Sequence, residues 1–253
     1  MTHEKPSIKS VARSYAGFVA VCILSAIAGA AVTLYLCVSM SGGMDMPGGW
    51  TMSMMWMRMP GQTWLLSAVY FLLMWIAMMI PMMMPSALPT FLKTARQSSA
   101  LFLMVSAYFA VWLAVGACVY VIGMAFATLE MQSDVLSRAV PLLSGILLII
   151  MGIIQFTHWK MFNLLRCRSP LGCTSSPCQY EKSFLLGCKQ GVACCICCTI
   201  PMAVQLVLGI MNPLVMLIVA LVITVEKLLP RPDITVRFVG FGIIILGVIS
   251  IFH

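Results

Sequence analysis

The chain has 253 residues, 62% hydrophobic and 9% charged, with a mean hydropathy of +1.04. Soluble domains carry about 25% charged residues, so this composition excludes an ordinary soluble domain and indicates a polytopic membrane protein. The formal charge of +8 comes with no basic stripe interleaved with aromatics. That excludes a nucleic-acid partner and marks loops facing the cytoplasm and anionic lipid.

About twenty apolar residues span the hydrocarbon core of a bilayer. On that rule seven helices are expected, at 15–40, 64–91, 100–128, 139–158, 190–211, 213–229 and 235–252. The count falls to six if 190–229 is a single span. Asn212-Pro213 favours two, because proline lacks the N–H and disfavours helix in the residue before it. The fold class is all-α, a transmembrane helical bundle.

The amino-terminal tail, 1–14, carries Lys5, Lys9 and Arg13 and is expected in the cytoplasm. The span 15–40 is too long for a signal-peptide core and shows no small-x-small cleavage site, so it reads as a signal anchor. The linker 41–63, with Arg58 and Asp45 as its charges, falls outside. Residues 64–252 form the main membrane domain. Within it the loop 159–189 holds Lys160, Arg166, Arg168, Lys182 and Lys189 and falls inside. The expected location is the inner (cytoplasmic) membrane, crossed several times, the lipid bilayer being the first partner.

Sulfur is concentrated in this scaffold. Met40, Met44, Met46, Met52, Met54, Met55, Met57 and Met59 crowd the outer linker, where Gly42, Gly43, Gly48, Gly49, Pro47 and Pro60 oppose a stable helix. Thioethers select Cu(I), because soft donors cannot displace water from hard cations. The pairs Met44/Met46 and Met52/Met54 therefore read as metal ligands, although Trp50, Trp56 and Trp64 would equally suit an interfacial segment. In the second span Met78 and Met82 lie at i,i+4, with Met79 and Met83 beside them and Pro81, Pro85 and Pro89 interrupting the helix. Gap-filling core methionines would give the same pattern. A soft-metal path is the sharper reading.

Eight of the eleven cysteines fall between Cys167 and Cys198. On a helix, Cys194 and Cys198 are i,i+4 neighbours, while Cys194–Cys197 and Cys195–Cys198 are i,i+3 neighbours. Two C-x-x-C pairs thus share about one turn, expected at the cytoplasmic end of the fifth span, where thiols stay reduced. Two such thiolates suit Cu(I), and three or four also suit zinc or another soft metal. Cys167, Cys173, Cys178 and Cys188 match no standard zinc spacing and read as auxiliary. Glu226, beside Pro230 at the end of the sixth span, is a functional candidate, whereas snorkelling explains Lys227. Gln205, one face with Cys198, is placed to hydrogen-bond a neighbouring helix. No hydrolase, P-loop or metal-pump signature is present, so no catalytic residue is assigned.

The segments Met74-Trp75-Ile76-Ala77-Met78-Met79-Ile80-Pro81, Pro85-Ser86-Ala87-Leu88-Pro89 and Gln155-Phe156-Thr157-His158-Trp159-Lys160 resemble a bacterial family of predicted metal-binding integral membrane proteins. So do Cys167-Arg168-Ser169-Pro170-Leu171-Gly172, Gly187-Cys188 and Glu226-Lys227-Leu228-Leu229-Pro230. Some members of that family are labelled copper chaperones. The resemblance covers about 64–252 and implies metal binding. The Cys194–Cys198 density and the Met-rich linker stand apart from it.

The function expected is binding and transfer or transport of a soft metal, foremost Cu(I). Copper would be captured by the outer methionines and passed by Met78 and Met82 to Cys194, Cys195, Cys197 and Cys198. A copper-carrying or copper-dependent protein would be its partner. Two other readings fit the same residues: a membrane thiol-disulfide oxidoreductase, and a non-catalytic assembly factor or subunit of a copper enzyme.

Overall fold

The computed structural model describes residues 8–39, 43–45, 51–53, 56, 63–94, 98–169 and 180–252. Among these residues there are eight helices: α1 (Ile8–Ser39), α2 (Trp64–Thr94), α3 (Ser98–Gln132), α4 (Asp134–Gln155), α5 (His158–Arg168), α6 (Tyr180–Leu208), α7 (Pro213–Leu228) and α8 (Pro232–Phe252). The Met-rich linker contributes a small hairpin. Its strands β1 (Gly43–Asp45) and β2 (Thr51–Ser53) pair antiparallel, with Met44 opposite Met52. Met46 and Met54 lie outside the described residues, as do Cys173 and Cys178.

Six helices are long and apolar enough to cross a membrane: parts of α1 to α4, α6 and α8. The chain is a multi-pass membrane protein. The expected seventh span is indeed helical, but α7 has only 16 residues. At 1.5 Å per residue it rises about 24 Å, short of a hydrocarbon core of about 30 Å. α7 is therefore the short one of the seven expected segments: Glu226 near its end meets Gln155 at the end of α4, so it returns the chain to the side from which α8 starts.

The break between α6 and α7 has local causes. Gly209 adopts φ 112°, a left-handed backbone that glycine takes without penalty at a helix end. Asn212 then caps α7, its Oδ1 accepting from the backbone N–H of Leu214 at 3.0 Å and Val215 at 3.3 Å. Pro213 fills the first helical position, where no N–H is needed. Asn212→Ala should cost about 1 kcal/mol, measured as a lowered midpoint of unfolding in detergent.

A correction concerns 159–189, expected as a loop. It contains α5, and α6 already begins at Tyr180. Charges such as Lys182 and Lys189 mask helix in a hydropathy reading, yet nothing in helix formation requires apolar residues where a helix runs beyond lipid. The Cys194–Cys198 run consequently moves from a helix end to its middle.

Backbone proximity holds the bundle together, as expected where lipid removes the hydrophobic contrast between helices. In the antiparallel α4–α8 pair, a Cβ on Gly247 would lie 2.9 Å from the Gly145 carbonyl oxygen. One on Gly152 would lie 3.1 Å from that of Gly240. Leu148, Ile200, Val204 and Ile243 join this pair to α6. On the other side, the Trp75 indole N–H donates to the Trp112 carbonyl at 3.0 Å, tying α2 to α3. Trp56, from the Met-rich linker, packs on Phe71 with ring centroids 5.5 Å apart. Any side chain at Gly123 would collide with it.

Candidate metal centre

Cys194 stands midway along the 29-residue α6. A helix turns about 100° per residue, so Cys194, Cys197 and Cys198 occupy one face and Cys195 projects to its side. The first three are buried and Cys195 is half-buried. Cys194 Sγ lies 3.9 Å from Cys198 Sγ, and Cys197 Sγ lies 3.8 Å from Cys198 Sγ. Cys188, earlier on the same helix, is half-buried and free.

Four other elements close on this face. From α2, Met83 Sδ lies 3.9 Å from Cys194 Sγ. From α3, the Tyr108 hydroxyl lies 3.0 Å from the same sulfur. From α7, Lys227 Nζ approaches it to 2.8 Å and also donates to Ser86 Oγ at 3.4 Å. Cys167, near the end of α5, reaches both Cys194 and Cys197. The Cys194 contact, with burial, pushes its thiol up to about 12, against the opposing effects of Cys197 and Lys227. Gln190 fixes the end of α5 by donating to the Cys167 carbonyl at 2.9 Å.

Lys227 overturns its snorkelling assignment. It is buried, and its ammonium turns inward to sulfur. Glu226, its chain neighbour, faces elsewhere and pairs with Lys160 at 2.8 Å, the two side chains being 2% and 1% exposed. Gln155 donates its side-chain amide to the other Glu226 oxygen. Lys160 donates as well to the Cys197 carbonyl at 2.9 Å. Pro201 explains that bond. Lacking an N–H, it cannot bond the carbonyl four residues earlier, which is that of Cys197. The lysine supplies the missing donor in the manner expected of buried backbone polar groups.

The methionines of α2 are likewise internal. Met78, Met79, Met82 and Met83 are all buried in the main core. Gln205, one helical face from Cys198, donates to Met78 Sδ at 3.1 Å, bridging α6 and α2 as its position implied. Met79 and Met82 pack in the same buried core as Cys194, Cys197 and Cys198. Trp56, Phe71 and Trp75 continue the buried column from the Met-rich linker, Phe71 stacking on Trp75 with centroids 5.9 Å apart.

Among the described residues, no three or more His, Cys, Asp or Glu side chains are arranged to hold a metal ion. What converges is two thiols and a thioether, with Cys197 and Cys167 as neighbours. Around Cys194 the described sulfur donors Cys198 and Met83 are joined by the Tyr108 hydroxyl and the Lys227 ammonium. Over residues 72–250 the chain matches a family described as PpoB2, copper chaperone. The chain belongs to the PpoB2 copper chaperone family. The matched region runs from α2 to α8 and contains every described residue around Cys194. As a copper chaperone family member with six membrane-length helices, it is a membrane copper-handling protein. No curated protein and no solved structure matches it.

Sequence reasoning missed Lys227, Lys160, Tyr108 and Gln155 as parts of this arrangement. One signal was available for Lys160: a proline within the cysteine-bearing helix demands an outside donor for Cys197. Tyr108 and Lys227 meet Cys194 across 86 and 33 residues of sequence, and no local pattern joins them.

Proposed function

We propose that this protein binds Cu(I) between Cys194 and Cys198 with Met83 as a third donor, and exchanges it without catalysing a reaction. The observation that carries this reading is the position of the Cys194 sulfur, 3.9 Å from both Cys198 Sγ and Met83 Sδ. A metal–thiolate bond is about 2.3 Å long, so two thiolates sharing one ion lie about 3.8–4.6 Å apart, depending on the angle between them. The pair fits that range. Two thiolates and a thioether match a soft monovalent ion better than zinc, which takes four ligands in structural sites.

Cys197 and Cys167 lie within one step of the pair and would serve as exchange partners, passing copper by ligand substitution. Upstream, Met44, Met46, Met52 and Met54 are proposed to capture copper outside the cell, and the buried Met78, Met79, Met82 and Met83 to lead it inward. Trp56 supports this route by docking the Met-rich linker on α2 and α3. Transfer from thioethers to thiolates runs towards the stronger ligands, and a copper-dependent protein would be the recipient. Cys195, Cys188 and Glu226 are proposed as auxiliary to this ligand set, as are Cys173 and Cys178, which lie outside the described residues.

Protein purified under reducing conditions should bind one Cu(I) tightly at the thiols, counted by metal analysis after dialysis. Cys194→Ser combined with Cys198→Ser should abolish that ion while leaving the helical content intact. No bound copper, together with a reversible disulfide among Cys194, Cys197 and Cys198, would establish the thiol oxidoreductase instead.

A further inference from the structure

Among the described residues, Lys227 is the cation closest to Cys194 Sγ and has no carboxylate partner. Its polar partners are Cys194 Sγ at 2.8 Å and Ser86 Oγ at 3.4 Å. The other buried lysine, Lys160, is matched by Glu226 at 2.8 Å. Arg168 is directed away, donating to the Leu229 carbonyl at 2.6 Å. Among the described residues, the charge felt at Cys194 and Cys198 is therefore dominated by one fixed ammonium.

We infer that Lys227 is a specificity-determining residue, which restricts the Cys194–Cys198 pair to monovalent soft cations. The inference rests on the proposed copper-binding role of that pair. Two metal-bound thiolates carry two negative charges. Lys227 and a monovalent ion balance them, so the loaded centre is neutral. A divalent ion leaves one positive charge without a counter-charge in a buried setting, where an unpaired charge is strongly penalised. The thioether of Met83 adds no anion, and the Tyr108 hydroxyl is a neutral partner. Repulsion by Lys227 acts on a divalent ion with twice the strength that it has on a monovalent one. A filter of this kind would hold copper and silver while rejecting zinc, which competes for the same thiolates.

The test uses the full chain in detergent under reducing conditions, with Ag(I) as a redox-inert monovalent probe and Zn(II) as the divalent one. Affinities are measured by competition against chelators and expressed as the Ag(I)-to-Zn(II) preference. Lys227→Leu, which removes the charge and adds no donor, should lower that preference by roughly tenfold or more. Lys227→Arg should retain it. Ser86→Asp leaves Lys227 in place and sets a carboxylate beside it. It should shift the preference in the same direction as Lys227→Leu, and it carries the test if Lys227→Leu does not fold. A preference unchanged in the folded variants, with Ag(I) still bound, overturns the role of Lys227 and leaves the copper-binding reading standing. Wild-type protein that binds neither ion overturns both.

Discussion

Replacing Glu226 with alanine is expected to destabilise the protein by about 3–5 kcal/mol, the usual penalty for stranding the partner of a buried ion pair. Lys160 would keep its ammonium inside the bundle with the Cys197 carbonyl as its remaining acceptor. The Gln155 amide would lose its acceptor as well. Removing both charges with Lys160→Met and Glu226→Met should recover much of the loss, since a buried pair often adds little net stability over packed apolar groups. It should not recover all of it. The Cys197 carbonyl, already without a helical donor because of Pro201, would then be unpaired at a cost of about 1–3 kcal/mol. Adding Pro201→Ala restores the backbone N–H and should return part of that cost. Unfolding in detergent should thus rank the single mutant least stable, the double intermediate and the triple closest to wild type. A double mutant as unstable as Glu226→Ala would show that packing, and not charge stranding, dominates at this site.

The same network shows where local sequence reading stops. The spans were legible because crossing a bilayer requires about twenty apolar residues, and few sequences meet that requirement by accident. The break at Asn212-Pro213 was legible because a cap and a first-turn proline are adjacent in sequence. The length of α7 was legible as well: it was expected at 213–229 and runs Pro213–Leu228, stopping ahead of Pro230 as a proline requires. The burial of Met78, Met79, Met82 and Met83 follows from their spacing, yet that spacing alone does not show which of them meets a cysteine. Met83 does, and Met78 meets Gln205 instead. Lys227 was misjudged for a physical reason. A lysine at the end of a span has water nearby as its default partner, and the sulfur that draws it inward lies on another helix. Glu226 and Lys227, adjacent in sequence, project about 100° apart on α7 and divide accordingly, one to Lys160 and one to Cys194.

Gly187→Leu should have the second large effect, because it acts on the α3–α6 contact that brings Tyr108 to Cys194. A Cβ at Gly187 would run into the backbone carbonyl of Met104, and one at Gly191 would lie 2.9 Å from Val111 Cβ and 3.2 Å from the Tyr108 carbonyl. Backbone cannot rotate aside as a side chain can, so the helices must separate. Overpacking of this kind costs about 1–3 kcal/mol and occasionally more. The outcome should exceed a loss of stability alone. Tyr108 and Cys194 sit one and two turns along their helices from these contacts, and their 3.0 Å contact cannot survive a separation of α3 from α6. Met83 belongs to α2, which is tied to α3 through Trp75 and Trp112, so its 3.9 Å approach to Cys194 should lengthen with it. Gly187→Leu is therefore expected to weaken Cu(I) binding even in the fraction of protein that stays folded. Gly242→Ala provides the control, since nothing lies within 4 Å of a Cβ there. It should leave both unfolding and copper affinity unchanged. Copper titration of the monodisperse fraction separates the two effects: normal affinity in Gly187→Leu would mean that the metal is held by α6 alone, without α2 or α3.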